Sequence, residues 1–244
     1  MATDLLDKRE DRIRRMFGEI APWYDFLNHF LSLNVDKRWR TTTARRVPPV
    51  GDAPILDLCT GTGDLALTYD RAAGGKVPIV AADFCHEMLV RGIAKAAKAG
   101  AGGRIRFVEA DAQHLPFPDD SFQIVSNAFG LRNVTDTDAG LREMVRVAQP
   151  GGRLAILEFS KPRGRLFGQL YLGYFRSILP RVGQFFSRNN QDAYKYLPAS
   201  VLSFPDGEAM AAKLRGHGLV NVTHFPLTFG IATLYVGEKP PRAG

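Results

Sequence analysis

The chain has 244 residues, 45% of them hydrophobic and 23% charged, the composition of a globular protein with enough length for one α/β domain and a sizeable core. Thirty-two Lys and Arg against 25 Asp and Glu leave a formal net charge of +7, which admits nucleic acid or an anionic membrane as partner, or mere solubility. Two cysteines in no disulfide-like pattern suit a reduced cytosolic protein, and a charged, periodic start ("MATDLLDKREDRIRRM") with no long apolar run argues against a signal peptide or a membrane span.

Residues 4 to 48 read as helix in pieces, punctuated by Pro22 and the Pro48-Pro49 pair. The aromatic-rich block "FGEIAPWYDFLNHFLSLNVDKRWR" precedes the first strand and is an appendage to the main fold. From Ile55 the pattern alternates. Strands are expected at Ile55–Thr60, Ile79–Asp83, Ile105–Glu109, Gln123–Ala128 and Arg153–Phe159, with helices near Asp64–Arg71, His86–Ala99 and Asp136–Ala148. That order predicts an α/β fold, a mostly parallel sheet with helices on both faces. "PGGR" (Pro150 to Arg153) reads as a turn before the fifth strand. Residues 161 to 205 break the rhythm as an insertion; "DGEAMAAKLRGHGL" then gives a helix, and "VTHFPLTFGIATLYVGE" supplies two more strands, seven in all. The expected organisation is a helical lid over 1–50, a ligand-binding core over 51–160, the insertion over 161–205, a helix and two strands completing the core over 206–238, and a tail over 239–244.

The first strand runs into "ILDLCTGTGDLA", a strand, a glycine turn and a helix start that fits a dinucleotide fingerprint through Gly61, Gly63 and Ala66. Asp83 closes the second strand, where an acidic side chain can accept both hydroxyls of a ribose. NAD and S-adenosylmethionine share that ribose, so Asp83 does not choose between them. Asp57 inside the strand and Asp64 at the helix start would repel a pyrophosphate and attract a ligand with a positive head, such as a sulfonium or an α-ammonium group. Asp64 also reads as an ordinary N-cap. Asp57 is a carboxylate in an apolar strand and must find a partner. After the third strand, Asp111 could accept the exocyclic amine of adenine, with the next backbone N–H against a ring nitrogen.

The glycine loop, "ADFCHEML", "DAQHLPFPDDSF" and "PGG" together resemble class I S-adenosylmethionine methyltransferases, which have a Rossmann-like fold. "IAPWYDFLNHFLSL", "FGLRNVTD", "LEFSKP" and "YKYLPASVLSFPD" narrow the resemblance to the UbiE/MenG/COQ5 family, C-methyltransferases of ubiquinone and menaquinone biosynthesis, from about Arg12 to Gly237. The resemblance implies S-adenosylmethionine as cofactor, held by Asp57, Gly61, Thr62, Gly63, Asp83, Phe84, Asp111, Ala112 and Asn127. It implies Arg132, Asn133, Asp111 and Tyr24 as catalytic residues, Arg132 foremost. Tyr24, Asn28, Phe129, Arg132, Tyr171 and Tyr196 would bind a polyprenylated quinol. No metal is expected, since the five histidines lack ligand spacing. A nucleic-acid substrate is disfavoured, because "SNAFGLRN" replaces the Pro-Pro-aromatic segment that base methylation uses. A homo-oligomer stays open.

Within the insertion, Lys161, Arg163, Arg165, Arg176, Arg181 and Arg188 are the charged residues up to position 188, all basic. Phe167, Leu170, Tyr171, Tyr174, Phe175 and Ile178 recur at helical spacing. This stripe would pack on its own domain, close over a greasy substrate, or rest peripherally on the inner face of a membrane.

Overall fold

The computed structural model describes residues 8–162 and 191–242. Helices α1 (Glu10–Ile20), α2 (Tyr24–Leu31) and α3 (Val35–Arg46) lead into the alternating region. There follow β1 (Ile55–Leu58), α4 (Asp64–Ala72), β2 (Ile79–Asp83), α5 (His86–Lys98), β3 (Ile105–Glu109), β4 (Phe122–Ala128), α6 (Thr137–Val147) and β5 (Ala148–Phe159). The chain closes with α7 (Gln191–Ser203), α8 (Glu208–Gly216), β6 (Val220–Leu227) and β7 (Ala232–Glu238).

The seven strands lie in the order β3-β2-β1-β4-β5-β7-β6, parallel except for β7, which runs antiparallel to both of its neighbours. β1 and β2 are buried throughout, as a parallel sheet covered on both faces requires. One face packs Leu56, Leu58, Val80, Val125 and Ile156 beneath Leu141 and Met144 of α6. The other packs Ile55, Ile79, Ile124 and Leu157 against α4 and Trp39 of α3. Strand order reverses between β1 and β4, and ligands bind outside the carboxyl ends of strands at such a switch point.

Three of the first five strands differ from the sequence expectation at one end, β4 by the single residue Phe122. β1 ends at Leu58, because Cys59 already has a positive φ of 51°. β5 begins five residues before Arg153: Ala148 pairs with Phe122 and Arg153 with Ile124, so the "PGG" turn is an excursion within one strand. Residues 163–190, which carry most of the basic aromatic stripe and Tyr171, lie outside the described residues.

Candidate active site

The loop after β1 turns through three left-handed residues, Cys59, Gly61 (φ +56°) and Gly63 (φ +82°). Asp57 fixes this shape. Its carboxylate accepts the Thr60 hydroxyl at 2.6 Å, the Ser126 hydroxyl at 2.9 Å and the Ala66 amide at 3.1 Å, tying β1 to the loop, to α4 and to β4. Burial pushes its carboxyl up to about 6 despite these donors. Asp64 is matched by Lys95 at 2.5 Å and faces Arg40 at 3.7 Å, which hold its carboxyl below the usual range against its burial. Thr62 donates to Asp25 and accepts from Lys95. The two flanking carboxylates, expected to draw in a positive ligand, are both engaged within the fold, where they brace the loop. Among the described residues, His29, Asp36 and Asp64 cluster as metal ligands might, but Arg40 pairs with both aspartates and Lys95 with the second, so cations of the chain itself already stand there.

A cleft of about 670 Å³, partly open to solvent, lies over the switch point. Tyr24, Gly61, Asp83, Phe84, Asp111, Ala112, Phe129 and Asn133 line it, together with Ile13 and Phe17 of α1, Met88 and Val134. Of the other residues expected there, Asp57, Thr62, Gly63, Asn127, Asn28, Arg132 and Tyr196 are not among those that line it, though Tyr196 packs with the lining residues Ile13, Phe17 and Phe84 at its edge. Asn127 donates to the Leu58 carbonyl at 2.9 Å and accepts the Leu131 amide at 3.1 Å, holding the loops after β1 and β4 together. Gly130 is needed at that contact, because a Cβ there would sit 2.3 Å from the Cys59 Cβ.

Asp83 is buried at the end of β2, where it accepts the Gly61 amide at 2.8 Å and the Cys85 amide at 2.9 Å. Burial still pushes its carboxyl up to about 6. No cation pairs with it among the described residues, so hydroxyl donors arriving from the cleft would relieve its desolvation. A ribose diol fits that need, and Asp111, half-buried with Ala112 beside it, fits the far end of a nucleoside.

The segment after β4 holds the second polar group. Arg132 is 6% exposed; its Nη1 donates to Glu158 Oε1 at 2.8 Å and to the Phe129 carbonyl, and its guanidinium stands 5.3 Å from the centre of the Phe159 ring. Sequence reasoning missed Glu158, although a fully buried acid in the apolar run of "LEFSKP" is the same signal that singled out Asp57. Arg132 Nε, Asn133 Oδ1 and the Tyr196 hydroxyl are buried and without partners among the described residues. Tyr196, on α7, packs with Ile13, Met16, Phe17 and Phe84, so α7 and α1 together roof the cleft. Its phenol is pushed up to about 12 by burial. The Tyr24 phenol is likewise raised by burial, and Asn28 hydrogen-bonds it. Lys8, at the entry to α1, also lines the cleft and had no signal in the sequence.

A seven-stranded sheet in this order, with an acid at the end of β2 and a glycine turn after β1, defines a Rossmann-like methyltransferase. The fold matches the crystal structure of a SAM-dependent methyltransferase from Aquifex aeolicus with a TM-score of 0.59 at 16% identity, covering 82% of this chain and 88% of that one. The ubiE/COQ5 methyltransferase family matches residues 5–239. The ubiquinone/menaquinone biosynthesis C-methyltransferase UbiE of Geobacter sulfurreducens is 47% identical over 96% of this chain and 91% of its own length. The demethylmenaquinone methyltransferase of Thermus thermophilus is 46% identical over 92% of this chain and 100% of its own. The chain belongs to the ubiE/COQ5 methyltransferase family, and it is an S-adenosylmethionine-dependent methyltransferase.

Proposed function

We propose that this enzyme places a methyl group on a ring carbon of a polyprenylated quinol, as in menaquinone or ubiquinone biosynthesis. The observation that carries this reading is an apolar cleft beside three buried polar atoms without partners among the described residues, Arg132 Nε, Asn133 Oδ1 and the Tyr196 hydroxyl. A quinol is a flat apolar ring bearing two oxygens, and it satisfies both halves of that description. The names of the relatives point the same way.

Asp83 would accept the ribose hydroxyls, the Asp111-Ala112 pair the adenine edge, and Gly61 and Phe84 would flank the nucleoside. Asp57, Thr62, Gly63 and Asn127 hold the loops that shape this seat. When bound, S-adenosylmethionine supplies an electrophilic methyl group whose bond to the cationic sulfur breaks as a ring carbon attacks, the electron pair staying on sulfur. The chain's own residues must make the ring carbon nucleophilic. A phenol ionises near 10, like tyrosine, so its deprotonation near neutral pH needs help. Tyr24 and Tyr196 stay protonated, because burial raises both, and can donate to the ring oxygen. Asn133 orients that oxygen, Phe129 packs on the ring, and the phenol proton leaves to solvent through the open side of the cleft. The ring hydrogen at the methylated carbon then leaves as a proton, restoring aromaticity, and the oxygen regains one, so each turnover releases one proton.

The reading includes reversible docking on an anionic membrane surface, where a polyprenyl tail resides. Phe30 and Leu33 are 51% and 81% exposed beside the exposed Lys37 and Arg38, a pattern suited to an interface. Among the described residues no helix is long and apolar enough to cross a membrane. Flotation with anionic liposomes checks this, and no binding at low salt would sink it. The function itself is tested by incubating the enzyme with demethylmenaquinol and with the demethylated benzoquinol under reducing conditions. Methylation of at least one is expected; binding of the cofactor without turnover of either would refute the assignment.

A further inference from the structure

Charge balance at the polar end of the cleft points to a residue other than Arg132. The Arg132 guanidinium is already matched by Glu158 at 2.8 Å, and both side chains are almost fully buried. Together they present no net charge to a ring oxygen that turns anionic. Lys8 also lines the cleft, close enough to Arg132 and Glu158 for both charges to act on it. No acid among the described residues pairs with its ammonium. Its backbone is held in place: the Thr135 hydroxyl donates to the Lys8 carbonyl at 2.6 Å, pinning the entry of α1 to the segment that follows Asn133. Burial is the main cause that lowers its pKa, with Arg132 acting in the same direction, as expected for a cation that lacks a counter-ion.

We propose that Lys8 is a further substrate-contacting residue of the transfer site, a cation on the cleft wall with no acid paired to it among the described residues, which stabilises the quinolate oxygen, while the Arg132–Glu158 pair sets the shape of that wall. The proposal rests on the quinol reading above. In this arrangement a phenolate entering the cleft supplies the charge that Lys8 lacks, and the two donors without partners among the described residues, Arg132 Nε and the Tyr196 hydroxyl, supply its hydrogen bonds. The uncharged phenol gains far less from the ammonium, so Lys8 favours the reactive form. Lys8 takes no proton in this scheme; the phenol proton still leaves to solvent.

The test compares Lys8→Met and Lys8→Arg with the wild-type enzyme in quinol turnover, in cofactor binding by calorimetry and in pH profile. The charged groups that act on Lys8 or share the cleft wall with it are Arg132 beside β4, Glu158 on β5, Asp83 on β2, Asp111 after β3 and Glu10 at the start of α1, with Tyr24 on the wall from α2. All are kept in both variants, so a change in the profile reports the Lys8 charge. Loss of a charge-assisted hydrogen bond predicts a fall in kcat/KM of roughly 10- to 100-fold for Lys8→Met. Its acid limb moves to higher pH by about one unit or more, because the phenol loses a stabilising cation. Cofactor affinity and melting temperature stay at wild-type values, and Lys8→Arg recovers most of the activity. If wild type turns over a quinol and Lys8→Met does so within twofold, with the same pH limb, Lys8 has no such role. Loss of cofactor affinity in Lys8→Met would equally overturn it. If wild type turns over no quinol, the underlying assignment fails and this proposal with it.

Discussion

Replacing Arg132 by Met should lower the stability of this protein first and its activity as a consequence. The guanidinium and the Glu158 carboxylate are 7% and 1% exposed and meet at 2.8 Å. Removing the cation strands a buried carboxylate, which typically costs about 3 to 5 kcal/mol. Two donors remain to it, the Phe159 amide at 2.9 Å and the Arg132 amide at 3.4 Å, which places the expected cost toward the lower end. For a chain of this size each kcal/mol shifts the melting temperature by about 2 to 4 °C, so a loss of roughly 6 to 12 °C is expected. The companion change Glu158→Leu strands the guanidinium with only the Phe129 carbonyl, and should cost at least as much. The double variant removes both charges and should recover most of the melting temperature of either single variant, giving a coupling of at least about 2 kcal/mol. Thermal unfolding of the four proteins, with and without cofactor, measures this directly. An Arg132→Met protein that melts within about 2 °C of wild type would show that the pair does not hold this wall, and would return Arg132 to direct chemistry.

Three further outcomes follow from the same geometry. Asp83 titrates at about 6 in the protein and binds hydroxyl donors best as the anion, so cofactor affinity should be flat above that pH and fall as pH drops through it; calorimetry between pH 5 and 8 (about one unit below to two above) checks the sign, and an unchanged affinity contradicts it. Tyr196→Phe removes a buried hydroxyl that has no partner among the described residues, so melting should not fall while kcat/KM for the quinol does; a marked loss of stability would mean the hydroxyl is satisfied within the fold. Gly130→Ala would push a Cβ to 2.3 Å from the Cys59 Cβ and 2.9 Å from Asn127 Nδ2, costing about 1 to 3 kcal/mol and weakening cofactor binding, and Cys59→Gly in the same chain should recover part of both.

The sheet was legible because its strands are short apolar runs between turn residues, and β2 and β3 begin and end where the pattern places them. The start of β5 was hidden, since a Pro-Gly-Gly turn inside a strand looks the same in sequence as a turn before one. The demand that Asp57 find a partner was legible; its answer was not, because Ser126 lies 69 residues away on the neighbouring strand. For the same reason the bracing role of the loop carboxylates was not legible. Arg132 stood out in "FGLRN", whereas Glu158, 26 residues on, gives it a different meaning. Lys8 reaches the cleft only because α1 folds back over the carboxyl ends of the strands, a contact that no local pattern announces.

Methyl transfer to carbon in this cleft is the central claim, and the position of the transferred methyl group tests it most directly. The enzyme should be supplied with S-adenosylmethionine carrying an isotope-labelled methyl group and with the reduced, demethylated quinol, and the product examined by NMR. A labelled methyl bonded to a ring carbon is the expected result. Label found on a ring oxygen, or none incorporated while the cofactor binds, would contradict it.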